Sequence, residues 1–358
     1  MSNAPQLRTF PALAQAREAR FGNQVRQLRK AAEAVREQLL AEGPAAAVES
    51  CRLVTFPYPS NYAFSGAASS PAPYVMMTNR MQVVQFRDHA GVFRTLLANP
   101  TDYERGQKAP FFAALRQRYG DFVSDRLMST RHGTVQSHLA RLALRPEDID
   151  YIAFDHLHVQ DVRGWVGGDG QAYFPRAKLL VMRKEWELAL DLHPMQWAWY
   201  CPDGIKGVPE DRVVLLDGDV HLGRGVAILS TPGHSAGNMS FAFVTDRGVG
   251  VISENGVAVE AYSPLQSRIP GLRSTAEHLG LEVILNGNTR ESSMEQYSSM
   301  LVEKTVAGPS RLDPSYVNFY PSSELAASLL APGLSPTFSL GDLSYGDIRR
   351  PDQVSRAA

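Results

Sequence analysis

Apolar positions recur at helical spacing in the first forty or so residues, with Val25, Leu28, Ala32, Val35 and Leu39 on one face. The segment is rich in Ala, Leu, Gln, Glu and Arg, and its one internal glycine is Gly22. Residues 11–42 are therefore predicted to form one long helix. Its stripe is too rich in alanine for a membrane-surface helix, so it reads as an arm packed on its own domain or on a second copy of the chain. From Val48 to about Pro100 the pattern changes. CRLVTF, PYVMMT, MQVVQF and VFRTLL are short β-rich runs between Pro, Gly, Asn and Asp, which predicts a meander of mostly antiparallel strands. Residues 109–145 turn helical again, and a strand, YIAF, then runs straight into two histidines. AKLLVM predicts a further strand, with a helix after it around residues 185–192. VVLLDGD, VAILS, MSFAFVT, GVGVIS and EVILNGN predict strands separated by Gly- and Asp-bearing turns, and SMEQYSSMLVEKTVA predicts the last helix. Two β-rich blocks with helices between them fit two packed sheets covered by helices. The expected organisation is a helical extension over 1–47, a main α/β domain over 48–332 and a Pro-, Ser-, Gly- and Asp-rich tail over 333–358.

Composition narrows the function classes. The 358 residues are 44% hydrophobic and 20% charged, enough apolar content for a sizeable core. A formal net charge of −1 supplies no field toward nucleic acid or an anionic membrane, and no Lys/Arg stripe interleaves with aromatics. The segment MSNAPQLRTF has no apolar signal region, and no run approaches the roughly 18 apolar residues of a spanning helix. The expectation is a cytoplasmic protein with a small-molecule substrate, a homodimer contact as an option, and neither nucleic-acid nor membrane partners. Cys51 and Cys201 stand far apart and give no CxxC motif or disulfide framework. No GxGxxG or P-loop run is present.

The chemistry concentrates in histidines. His156 and His158 stand two apart at the end of an apolar strand, where extended backbone points residues i and i+2 to one face. Two imidazoles can then converge on one ion, and neutral imidazole suits zinc, iron and other borderline metals. A second element, STPGHSAGN at 230–238, follows the strand VAILS. Pro232 and Gly233 predict a tight bend that projects His234 from the strand end. The glycines at 164, 167, 168 and 170 beside Trp165 read as a flexible loop, or more sharply as an active-site flap. Trp186, Trp197, Trp199 and Tyr200 read as packing, or as a hydrophobic wall for an apolar substrate. His89, His132, His138, His193, His221 and His278 are expected to be non-ligands.

DHLHVQDV at 155–162 and TPGHSAGN at 231–238, with LALRPEDIDYIAFDHLH leading into the first and PRAKLLVMRKEWE between them, resemble the metallo-β-lactamase superfamily over roughly residues 50–305. The resemblance implies an αββα sandwich of two mixed β-sheets flanked by helices. It implies a metal site of His156, His158 and His234, with Glu254 in place of the family's bridging Asp after the strand GVGVIS. The family's second metal takes the Asp and His of HxHxDH and a late His. Those places here hold Gln160, Asp161 and Asn288, so the second site is degenerate. The implied cofactor is one metal ion, Zn²⁺ first and Fe²⁺ second, with a second ion on Asp161, Glu254 and Asn288 as the alternative. Asp161 is the candidate catalytic carboxylate, alongside Glu254. Asp155 is a candidate acceptor for an imidazole N–H, or plain structure.

Three imidazoles with an open position make a catalytic type of metal site. A metal-activated water attacking an ester, lactone, thioester or amide is the first functional reading. Alternatives left open are a non-haem iron oxygenase or other redox enzyme on the same fold, and a non-catalytic metal-binding protein.

Overall fold

The computed structural model describes residues 7–287 and 292–354. Strand runs in the order Arg8–Thr9, Val220–Gly223, Val226–Ser230, Met239–Thr245, Gly248–Ser253 and Phe319–Pro321 form one sheet. Its strands are antiparallel except for the last pair. A second sheet follows the order Ser344–Tyr345, Ala47–Pro59, Tyr74–Arg87, Phe93–Ala98, Tyr151–Ala153, Lys178–Met182 and Val213–Leu216. Its first half is antiparallel and its second half parallel. Short strands Thr130–Arg131 and Ser323–Ala326 add to it.

Alternation along the strands builds four layers. In Met239–Thr245, Phe241 and Phe243 face the interior between the sheets, while Ala242 and Val244 face helices. The inter-sheet layer joins these phenylalanines and Ile228 and Ile252 to Val84, Phe86, Leu96 and Leu180 of the second sheet. On the outer face of the first sheet, helices Phe21–Glu42 and Ser293–Ala307 pack Leu28, Ala32, Val35, Leu39, Leu301 and Val306 against Leu229, Ala242 and Val251. Behind the second sheet, Val135, Leu139, Trp165 and Phe174 cover Leu53, Val83, Leu97 and Leu179. Strands buried on both faces explain why VAILS and MSFAFVT are continuous apolar runs. The result is the expected αββα sandwich, with two mixed sheets flanked by helices.

Several elements differ from the sequence reading. The predicted single helix over 11–42 is two, Pro11–Arg17 and Phe21–Glu42. The break has a tertiary cause. The Arg17 guanidinium pairs with the buried Asp219 and donates to the Ser230 carbonyl, while Gln24 Nε2 caps the freed Arg17 carbonyl at 2.7 Å. Arg17→Ala is expected to lower stability by about 1–3 kcal/mol, because it strips a buried carboxylate of its charged donor. A urea midpoint that falls with an unchanged m-value would show it. The helices pack on their own chain, the first of the two placements expected for this segment.

Residues 282–287 of EVILNGN form no strand. Their backbone donates instead to carbonyls outside any sheet, Ile284 to Ala261, Asn286 to Asn255 and Gly287 to Tyr62. The sheet edge beside Gly248–Ser253 belongs to Phe319–Pro321, a run whose proline weakens any strand signal. PYVMMT and MQVVQF join as one strand, Tyr74–Arg87. The tail also packs, burying Leu340 and Leu343 and pairing Ser344–Tyr345 with Val48 and Glu49. Trp165 is buried against Tyr173 and Phe174. Cys51 and Cys201 are both free and buried. Among the described residues, no helix is long and apolar enough to cross a membrane.

Candidate metal centre

Three strands end at one edge of the sandwich. Tyr151–Ala153 runs into the segment 154–161 that carries His156 and His158. Val226–Ser230 runs into 231–238 with His234, and Gly248–Ser253 ends directly before Glu254. His156, His158 and His234 are buried, and each offers a ring nitrogen within 4.8 Å of the others. The imidazole centroids stand 4.5, 4.6 and 5.0 Å apart. His158 Nδ1 and His234 Nε2 approach to 3.2 Å. Two nitrogens bound to one tetrahedral zinc at about 2.0–2.1 Å lie about 3.4 Å from each other, so this pair suits a shared ion. Among the described residues, no other group of three or more His, Cys, Asp or Glu side chains gathers as closely, and the six remaining histidines lie outside it.

Neighbours decide which nitrogen the His156 and His158 rings present. Asp155 Oδ1 lies 2.8 Å from His156 Nδ1, which makes that nitrogen the N–H donor and leaves Nε2 for an ion. Asp155 is itself held by Asn99 Nδ2 at 3.3 Å and by the Ser322 hydroxyl. Gln196 Oε1 accepts from His158 Nε2 at 2.8 Å, which turns Nδ1 toward His234. Of the two roles left open for Asp155, its geometry provides the acceptor.

Glu185 fastens the two histidine loops to each other. Its Oε1 accepts from the Leu157 N–H at 2.7 Å and the Tyr200 hydroxyl at 2.6 Å. Its Oε2 accepts from the Ser235 hydroxyl at 2.6 Å and the Gly237 N–H at 3.2 Å. Leu157 sits between the paired histidines, and Ser235 follows His234. The contact requires glycine at 237, since a Cβ there would stand 2.2 Å from the Glu185 nitrogen. Val159 adopts φ +56°, an uncommon conformation for a β-branched residue, and its N–H is tied to the Trp199 carbonyl at 2.7 Å. Behind His234, Asn255 Oδ1 accepts the His234 N–H at 3.0 Å, and Asn255 Nδ2 donates to Glu303 Oε1 at 2.8 Å.

The electrostatics suit a cation. Burial, with His156 alongside, holds the imidazoles of His158 and His234 well below the usual histidine range, so both are neutral donors. Burial also pulls on His156, but the Asp155 carboxylate overrides it and raises that imidazole. Burial and then Asp155 push the Glu254 carboxyl up to about 8, against His156 and hydrogen bonds from Ser323. A divalent ion beside these groups would reverse that shift.

The triad lines a cleft with a cavity volume of about 70 Å³. Its walls include Phe56, Tyr58, Phe111, Phe112 and Trp199, with Phe111 stacked on Trp199 at 4.7 Å. Asp155 and Glu254 also line it. Trp199 therefore belongs to a cleft wall, whereas Trp197 is exposed and Tyr200 serves Glu185.

The structure thus brings His156, His158 and His234 together, with Glu254 bordering the same cleft outside their close donor set. Asp161 is not among the residues lining that cleft. Its carboxylate is engaged by Arg163 at 2.6 and 2.9 Å, by Arg105 at 3.5 Å and by Lys108 at 3.8 Å. Gln160 lines the cleft and donates to the Thr101 hydroxyl at 3.1 Å. Asn288 lies outside the described residues. Glu185, Gln196 and Asn255 escaped the sequence reading. Glu185 and Gln196 lie in a helix and an aromatic loop that read as packing. Asn255 directly follows Glu254, and its place beside a strand end was the one available signal.

Curated relatives include the N-acyl homoserine lactonase AiiA of Bacillus thuringiensis subsp. kurstaki. It is 30% identical over 135 residues, 37% of this chain and 49% of the relative. An N-acyl homoserine lactonase of Bacillus cereus is 28% identical over 132 residues, 36% of this chain and 47% of the relative. The chain spans about half the length of the curated relatives it matches. Similar solved structures include an N-acyl homoserine lactone hydrolase with N-hexanoyl-L-homoserine at its catalytic metal centre. That structure is 18% identical, with a TM-score of 0.45 over 66% of this chain and 88% of the other. A probable metal-dependent hydrolase from Staphylococcus aureus is 14% identical, with a TM-score of 0.44 over 64% and 79%. No family model matches the chain. The αββα sandwich, with HxH and PGH loops closing a buried histidine triad at one edge, is the architecture and the histidine arrangement that the sequence resemblance implied.

Proposed function

We propose that the chain is a metal-dependent hydrolase that opens a small-molecule lactone or ester with one zinc ion held by His156, His158 and His234. The observation that carries this reading is the convergence of three buried imidazoles, whose ring nitrogens lie within 4.8 Å of one another, in an aromatic-walled cleft. The stretch shared with N-acyl homoserine lactonases supports the choice of lactones. When bound at such a site, zinc lowers the pKa of water toward neutrality and polarises a carbonyl. The protein's own groups do the rest. Asp155 and Gln196 fix the imidazole tautomers. Trp199, Phe111 and Phe56 hold the apolar part of the substrate and exclude water from it. Glu254, which lines the cleft beside the triad, is assigned as proton acceptor. Asp161, engaged by Arg163, Arg105 and Lys108, is assigned to holding its loop, and with Gln160 neutral no second ion is invoked.

The test is hydrolysis by the full chain, stripped with a chelator and reloaded with zinc. The substrates are γ-lactones with and without an apolar acyl-amide arm, and matched acyclic esters. Ring opening followed by NMR is expected only with metal, with higher kcat/KM for the armed lactones. A folded, zinc-loaded protein that opens no lactone or ester would overturn the proposal.

A further inference from the structure

Glu185 is a buried acid that the catalytic reading leaves without a task. It is 1% exposed, and among the described residues it forms no ion pair with Lys, Arg or His. Two of its four partners, the Leu157 and Gly237 N–H groups, can only donate, and the Tyr200 and Ser235 hydroxyls complete a set of four donors that suits an anion. A buried anion without a fixed cation is costly unless another positive charge stands nearby. The place for such a charge is the triad, because the Leu157 and Ser235 groups that Glu185 holds adjoin all three imidazoles. Its reach is also mechanical, because it spans from the residue between His156 and His158 to the residue after His234. Tyr200 extends the same scaffold, with its ring edge-on to His158 at 4.9 Å.

We infer that Glu185 is the positioning residue that sets the metal affinity of the triad, by clamping both histidine loops and by supplying negative charge behind them. The inference rests on the reading of the triad as a metal site. Glu185→Gln keeps the volume, removes the charge and turns an acceptor pair into a donor facing the donors of Ser235 and Gly237, or of Leu157 and Tyr200. Tyr200→Phe and Ser235→Ala each remove one clamp bond and keep the charge.

The experiment is zinc titration of the full chain against a chromophoric chelator, with the cobalt absorption spectrum as the readout of ligand geometry and metal-free melting as the readout of fold. Glu185→Gln is expected to melt cooperatively without metal and to bind zinc about 10–100-fold more weakly, as for other residues that orient metal ligands. Its cobalt spectrum is expected to change, which a purely structural role would not require. A folded Glu185→Gln variant that binds zinc within about twofold of wild type would overturn this inference alone. If that variant does not fold, the two clamp variants decide: about threefold weaker zinc binding in either supports the inference, and wild-type affinity in both overturns it. A wild type that binds no zinc would overturn the metal reading and this inference together.

Discussion

His234→Ala is expected to lower kcat/KM for lactone opening by at least about 10³-fold, equivalent to about 4 kcal/mol of transition-state stabilisation. The reason is geometric. Of the three gathered imidazoles, His234 alone comes from the first sheet, and its Nε2 stands 3.2 Å from His158 Nδ1. Without it, His156 and His158 remain as a two-nitrogen site on one short segment, which holds an ion much less firmly than three ligands. The fold is expected to persist, because the loop's other anchors do not use the imidazole. Asn255 binds the His234 backbone, and Glu185 binds Ser235 and Gly237. Metal content by elemental analysis, taken alongside circular dichroism, reads the two consequences separately. A folded variant with full zinc content would remove His234 from the ligand set, and a folded, metal-poor variant with undiminished turnover would remove zinc from the chemistry.

Glu303→Ala should produce the largest loss of stability, about 3–5 kcal/mol. Glu303 is fully buried on helix Ser293–Ala307, and it accepts from the Ser240 hydroxyl at 2.6 Å, Asn255 Nδ2 at 2.8 Å and the Tyr262 hydroxyl at 2.5 Å. Alanine leaves these donors unmet in the core, at about 1–3 kcal/mol for each group that finds no replacement, and opens a cavity as well. Chemical denaturation measures the loss. Because Asn255 also orients the His234 backbone, zinc affinity should fall with it.

Glu303→Gln adds a test with a definite sign in pH. Burial raises the Glu303 carboxyl in the folded state, while its hydrogen-bond donors oppose the shift only in part. Between the unfolded value, about 4.3, and the raised folded value, the native state binds more protons than the unfolded state. Glu303 therefore contributes less stability as pH rises through that window. Glutamine does not titrate, so its deficit relative to wild type should shrink from acidic toward neutral pH. A deficit constant across that range would place the Glu303 ionisation at its unfolded value.

Much of the architecture is legible along the chain, because periodicity is local. The apolar run MSFAFVT specifies a strand, whose alternation places Phe241 and Phe243 on one face and Ala242 and Val244 on the other. The histidine motifs are legible for the same reason, since i and i+2 on extended chain share a face whatever surrounds them. Signals fail where a contact from far along the chain outweighs local preference. Residues 18–20 carry no strong helix breaker, and Asp219 with Ser230 anchors Arg17 at the break. EVILNGN has a strand's composition, but the edge it would need is held by Phe319–Pro321.

At the site, the sequence by itself supplied the candidate ligands: three histidines placed after apolar strands, and a carboxylate in Glu254. Tertiary structure alone decided which nitrogen the His156 and His158 rings present, because those choices belong to Asp155 and to Gln196, the latter 38 positions from His158. It alone drew Asp161 away to Arg163, Arg105 and Lys108, and made Glu185 the joint between loops 28 and 50 positions away. The physical reason is that hydrogen bonds and charges act through space at about 3 Å, a proximity that spacing along the chain does not encode.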